Sequence, residues 1–208
     1  MPKITAPSVA EHVAQQEAAV FDAAITLFIE RGYDNVSLGD IAQQVGLARN
    51  SLYRYFPDKA HIMIRWFRSE LPLQVAIAAE ALSGDETLAE RIRRYVDAQL
   101  DYAATPAHGL ISSLIDLVPS FDDAVRAEVM ASHRDLLAPL DDALASAGVR
   151  DQSERGIIAD LTQGLINAGA DRESRTGRDE RARARIVEAT LALLDQGKAT
   201  RRRQERTP

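Results

Sequence analysis

Apolar positions recur three and four residues apart along almost the whole chain, and no segment shows sustained period-two alternation, so helices are predicted and strands are not. A first helix runs from about Val9 to Arg31, with Val20, Ala24, Leu27 and Phe28 as its inner face and Gly32 as its stop. Ser37 caps a short second helix that ends near Val45 and is broken at Gly46; a third runs from about Ala48 to Tyr55. After Pro57 a fourth starts near Asp58 and should kink or end around Pro72. Asp85 opens a fifth, to about Ala104, and Thr105 with Pro106 opens a sixth, to Val118. Ser120 and Asp123 read as a capping pair for a seventh that reaches Ala147, with Pro139 disturbing it. The last two cover about 152–174 and 179–196, joined by "RTGR" and stopped at Gly197. The fold class is therefore all-α with about nine helices. The expected divisions are residues 1–57, 58–196 and a basic, disordered tail at 197–208.

Composition narrows the class. A chain of 208 residues can bury a sizeable core without a covalent staple, and the absence of cysteine excludes disulfides, Cys-based zinc sites and thiol chemistry. Lack of cysteine fits a reducing interior, and no apolar run is long enough for a signal peptide core or a membrane span, so a soluble cytoplasmic protein is expected. The net charge is −6, yet residues 49–68 hold five cations (Arg49, Arg54, Lys59, Arg65, Arg68) against one acid, Asp58. A basic footprint on an acidic body suits one-sided contact with a polyanion.

That footprint overlaps the stretch "SLGDIAQQVGLARNSLYRYF", Ser37 to Phe56. Ile41 and Val45 lie one turn apart on the second helix, Leu52 and Phe56 one turn apart on the third, and Leu47 sits between, which makes a small shared core. Ala42 is small where a helix could cross closely, and Gly46 suits a left-handed turn. This is helix-turn-helix spacing. With Leu52 and Phe56 inward, Arg49, Asn50, Tyr53 and Arg54 face outward on the helix that would enter a major groove. Arg49 stands in a first turn, where the helix dipole disfavours a cation by about 0.3–1 kcal/mol; a phosphate or guanine edge would offset that cost.

The segment from Val20 to Phe67, with "DAA..LF.ERGY", "DIA...G" and "LY.YF..K" in register, resembles the DNA-binding region of the TetR family of transcriptional regulators. The resemblance covers about the first third of the chain. It implies an all-helical homodimer that binds double-stranded DNA at a palindromic operator, with three helices for DNA and about six for dimerisation and a small-molecule effector. It assigns groove contacts to Arg49, Asn50, Ser51 and Tyr53, with Arg54 beside them, and phosphate contacts to Ser37, Tyr55 and Lys59. Ser37 could instead be a plain N-cap, Tyr55 a half-buried core aromatic and Ser51 filler. Two departures stand out: Ala48, where family members commonly cap with serine or threonine, and Asn50, where a small residue is usual. Asn50 can pair with adenine, so no operator sequence transfers. Repression is the family's usual mode.

Beyond this region the resemblance is one of helix order and length. Ile158, Leu161, Leu165 and Ala168 line one face of the eighth helix and Ile186, Ala189 and Leu193 one face of the ninth, with Gly164 and Gly169 permitting close approach. One chain could bury these itself; a two-fold operator calls for a two-fold protein, and these faces are the expected dimer interface. An effector pocket is expected where polar residues interrupt apolar stripes, at Tyr95 and Gln99 and at Met130 and His133, with Trp66, Tyr102, Asp116 and Phe121 as further candidates; satisfied core or interface groups are the alternative. The ligand class expected is apolar or amphipathic. His12, His61, His108 and His133 have no metal spacing, no phosphate loop or nucleophile elbow occurs, and no cofactor or catalytic residue is expected. The alternative to a regulator is a helical small-molecule carrier whose helix-turn-helix no longer binds an operator.

Overall fold

The computed structural model describes residues 9–204, apart from the side chains of residues 9–10, 112, 130, 133 and 197–204. Among the described residues there are nine α-helices and no strand: α1 (Val9–Arg31), α2 (Leu38–Gln44), α3 (Arg49–Leu52), α4 (Lys59–Leu82), α5 (Leu88–Ala103), α6 (Gly109–Leu117), α7 (Asp123–Ser146), α8 (Gln152–Thr176) and α9 (Glu180–Gln204). Short 3-10 turns stand at Pro106–His108 and Val118–Ser120. No described helix is long and apolar enough to cross a membrane.

The chain forms two compact units. One holds the described residues up to Ser69 together with Gly109–Ser120, so it reaches past Pro57 and takes in the first half of α4. The reason is burial: Ile62, Met63, Trp66 and Phe67 are buried, as are Val20, Ala24, Leu27 and Phe28 of α1. α1 ends where expected because Gly32 adopts φ +82°, which stops a helix cheaply only at glycine.

The other unit holds Glu70–His108 and the described residues from Phe121 on. Its core gathers Leu82 of α4, Ile92, Tyr95, Val96 and Leu100 of α5, Leu140 and Leu144 of α7, Ile158 and Ile166 of α8, and Ile186, Val187 and Leu194 of α9. α8 and α9 approach closely at Gly169, where a Cβ would stand 2.6 Å from Ile186 Cδ1.

Several boundaries differ from expectation, each for a local reason. Pro72 lies inside α4 without ending it. It is exposed, so water can satisfy the carbonyl that its missing N–H leaves unpaired. α5 begins at a capping box made by Thr87 and Glu90, not at Asp85. α7 is capped by Asp122, whose side chain accepts from Val125 N at 2.8 Å, while the Ser120 hydroxyl turns back to the Leu117 carbonyl. The expected sixth helix is divided into the turn at Pro106–His108 and α6. α9 continues past Gly197 to Gln204, because an isolated glycine costs a helix only about 1 kcal/mol. Residues 205–208 of the tail lie outside the described residues.

Candidate nucleic-acid interface

The helix-turn-helix is built by complementary caps. Ser37 Oγ accepts from Asp40 N at 3.2 Å, and Ser37 N donates to Asp40 Oδ2 at 2.8 Å, which closes a capping box at the start of α2. The Ser37 hydroxyl, which donates to Asp40 Oδ2 at 2.6 Å, and then the Ser37 amide hold the exposed Asp40 carboxyl below its ordinary value. At the far end Gly46 takes φ +68°; Leu47 N donates to the Ala42 carbonyl at 2.8 Å and Gly46 N to the Gln43 carbonyl at 3.2 Å, a Schellman closure. The chain thus leaves α2 in one fixed direction and enters α3.

α3 is shorter than the expected Ala48–Tyr55. Only Arg49–Leu52 is α-helical, and the tighter bonds Arg54 N to Ser51 O and Tyr55 N to Leu52 O carry the turn on. Ala48, the N-cap, makes no side-chain cap bond, which leaves the first amides of α3 without that partner. Leu52 is fully buried and Phe56 nearly so, while Arg49, Asn50, Tyr53 and Arg54 are exposed and Ser51 and Tyr55 half-buried. Of the expected shared core, Ile41, Leu52 and Phe56 are buried and Val45 and Leu47 partly so.

A groove of about 520 Å³ brings Ser37, Arg49 and Lys59 together with Tyr33, Asp34 and Asp58. Lys59 is held in it from two sides: its Nζ donates to the Tyr33 carbonyl at 2.8 Å and stands 4.2 Å from the centre of the Tyr33 ring. Burial lowers the Lys59 ammonium pKa, with Asp34 opposing; burial, then Asp58 and Asp34, push the Tyr33 phenol up to about 12. Tyr33 was not singled out by sequence reasoning, since an aromatic after a helix-stop glycine reads as ordinary core.

Nearly two turns further along α4, Arg65 pairs with Glu17 of α1 and lies 4.9 Å from the Phe21 ring and 5.5 Å from the Phe56 ring. Its charge is therefore engaged within the protein. It ties α1 and the end of the α3 turn to α4.

The expected effector residues are divided between the units. Trp66 and Asp116 belong to the first, Trp66 buried and Asp116 exposed. Tyr95, Gln99, Tyr102 and Phe121 belong to the second, where Tyr95 is core and the other three half-buried. The side chains of Met130 and His133 lie outside the described residues.

The expected dimer faces are corrected in part. Ile158 and Ile186 are buried in the chain's own core, so the inward face of α8 is Ile158, Ala159, Thr162, Ile166 and Gly169. Leu161, Leu165, Ala189 and Leu193 instead line an apolar surface groove between α8 and α9, with Gly164 and Ala192, and Ala168 is exposed. Ile157 and Leu161 on α8 are about half exposed. The slip has a simple cause: α8 is apolar on two faces, and periodicity cannot say which one the chain covers itself.

An ion cluster that the sequence did not single out sits in the second unit. The Arg183 side chain is 4% exposed; it pairs doubly with Glu173 (2.8 and 2.7 Å) and reaches Asp101 at 2.7 Å and Asp97 at 3.2 Å. The hydrogen bond from Arg183 holds the Glu173 carboxyl below the ordinary glutamate range. The signal was available: Arg183 occupies the inward stripe of α9 with Ile186, Val187, Thr190 and Leu194.

Fold and caps together define a helix-turn-helix protein with a second helical unit. Residues 20–65 match the family model described as bacterial regulatory proteins, tetR family. Over 113 residues, 52% of the chain, it is 31% identical to YezE, an HTH-type transcriptional regulator of Bacillus subtilis, and over 43 residues it is 49% identical to IcaR of Staphylococcus aureus, the HTH-type negative transcriptional regulator of the biofilm operon icaADBC. These matches span 58% and 23% of the lengths of those relatives. In fold it is similar to the TetR-family regulator PfmR of Thermus thermophilus, with a TM-score of 0.62 and 21% identity over 85% of this chain and 97% of that one. Residues 20–65 are thus similar to the DNA-binding region of the tetR family of bacterial regulatory proteins, and the fold as a whole is similar to that of PfmR.

Proposed function

We propose that the protein is a cytoplasmic, dimeric DNA-binding regulator that represses transcription from a palindromic operator and is released by a small-molecule effector. The observation that carries this reading is the outward row Arg49, Asn50, Tyr53 and Arg54 over the buried anchor Leu52. That row gives two guanidiniums and an amide to base edges, with Ser51 beside them. Ser37, Tyr55 and Lys59 take backbone phosphates, and a phosphate in the groove would return to Lys59 the charge stabilisation that burial takes away.

The α8–α9 groove supports the dimer. Leu161, Gly164, Leu165, Ala189 and Leu193 form an apolar strip on two long antiparallel helices, and a second copy related by a two-fold axis would cover it. Repression is supported by the name of the IcaR relative. Because α4 contributes residues to both units, a ligand in the second unit that alters α4 would bias the DNA-competent state, by no more than its differential affinity.

A mobility-shift titration with genomic fragments at two salt concentrations tests the reading. A fragment that shifts in the presence of excess random DNA is expected; shifts that random DNA abolishes equally, or none at all, would leave the carrier alternative.

A further inference from the structure

Within the second unit the last turn of α4 meets the first turns of α5, with Arg94 Nε donating to the Ala81 carbonyl at 3.1 Å and Arg91 Nη1 to the Leu82 carbonyl at 3.2 Å, so the two helices run antiparallel from there. From that end the inner stripe of α4 reads Leu82, Ala78, Gln74 and Glu70, one turn apart. The facing stripe of α5 reads Ile92, Tyr95, Val96, Gln99 and Tyr102. The near part is ordinary core: Ala78 and Leu82 pack in one cluster with Ile92, Tyr95, Val96 and Leu100.

Past Ala78 the chemistry changes. Gln74 is 6% exposed, and its Oε1 is buried with no hydrogen-bond donor; the Tyr102 hydroxyl is likewise buried and unpartnered. Buried polar atoms almost always find partners, so two such atoms on neighbouring helices call for an explanation. Around them, burial and then the Glu70 charge push the Tyr102 phenol up to about 12, which keeps it neutral. His108 meets the Tyr102 ring edge-on at 5.5 Å, and burial holds the imidazole pKa below its usual value, so it too is neutral near pH 7. Glu70, Gln74, Tyr102 and His108 therefore offer acceptors and one negative charge but no cation. An anionic headgroup would meet Glu70 uncompensated.

We propose that this end of the α4–α5 pair binds an amphipathic organic amine, whose ammonium donates to Gln74 Oε1, the Tyr102 hydroxyl oxygen and the Glu70 carboxylate, and whose hydrocarbon part lies toward the apolar stripe. An ammonium carries three donors and no acceptor, which matches three acceptors. Binding stands on this geometry alone. That the amine would release DNA rests on the regulator reading above.

The test uses the full chain without DNA and three probes of one shape, 2-phenylethylammonium, 2-phenylethanol and phenylacetate, titrated calorimetrically near neutral pH. The amine should bind roughly tenfold or more tighter than the alcohol, and phenylacetate should not bind, because a charge-assisted hydrogen bond is worth about a factor of ten or more. Glu70→Gln and Gln74→Leu should each weaken the amine roughly tenfold, while Gln74→Leu leaves the melting temperature of the ligand-free protein unchanged or raised. Phenylacetate binding as well as the amine, amine binding unmoved by both substitutions, or no binding of any probe at millimolar concentration would overturn the proposal and leave those two atoms to water. The mobility shift, run in parallel without the amine, separates the outcomes: absence of any operator-specific shift would sink the regulator reading and leave the amine site standing.

Discussion

The Lys59 ammonium stands 2.8 Å from the Tyr33 carbonyl and 4.2 Å from the centre of the same residue's ring, so one tyrosine positions the first cation of α4 from two directions. A lysine so held has lost rotamer freedom before any DNA arrives, and it keeps further N–H donors for a phosphate. Lys59→Ala should weaken binding to all sequences alike and reduce the salt slope of the affinity by about one, measured by fluorescence anisotropy at several salt concentrations.

The Arg183–Glu173 pair should matter for folding. Truncating the arginine leaves a buried carboxylate without its main partner, so Arg183→Ala should cost about 3–5 kcal/mol in urea unfolding, and Arg183→Met with Glu173→Leu should recover most of it. The pH dependence follows in sign. Glu173 is depressed when folded, so its contribution is present above the ordinary glutamate range and is lost as pH falls through its lower folded value. The double variant should lack that part of the acid loss.

Two glycines of α8 separate packing from propensity. A Cβ on Gly169 would meet Ile186 Cδ1 at 2.6 Å and a Leu100 methyl at 3.3 Å, so Gly169→Ala should destabilise by about 1–3 kcal/mol. Gly156 has nothing within 4 Å, and Gly156→Ala should stabilise by up to about 1 kcal/mol. Thermal unfolding of both variants checks the contrast.

Oligomeric state can be read from the α8–α9 groove. Leu161 is about half exposed in the single chain, so Leu161→Glu should leave the helix content intact and give a monomer by light scattering, if a second copy covers the groove. Ile158→Glu, inside the chain's own core, should unfold the protein instead.

Much of the DNA-facing region was legible in the sequence because its signals are local. Gly32, Ser37 and Gly46 mark caps that depend on neighbours within a few residues, and the structure has all three where the pattern puts them. What failed was long-range. Whether Ile158 faces its own core or a partner depends on α5 and α7, which no i, i+4 pattern contains. Pro72 stays helical because its side of α4 meets water, a fact of tertiary placement. The partners of Arg183 lie 10 to 86 residues away along the chain, so its inward register was visible and its purpose was not.

The most direct measurement of what α3 does is selection of binding sites from random DNA with the purified protein, repeated with Arg49→Ala. Enrichment of a two-fold symmetric site is expected, with half-sites about one helical turn or a multiple of it apart. The variant should bind that site about 1–3 kcal/mol more weakly and with preference relaxed at one position per half-site. No enriched motif, or equal losses for Arg49→Ala on selected and random DNA, would contradict sequence reading by α3.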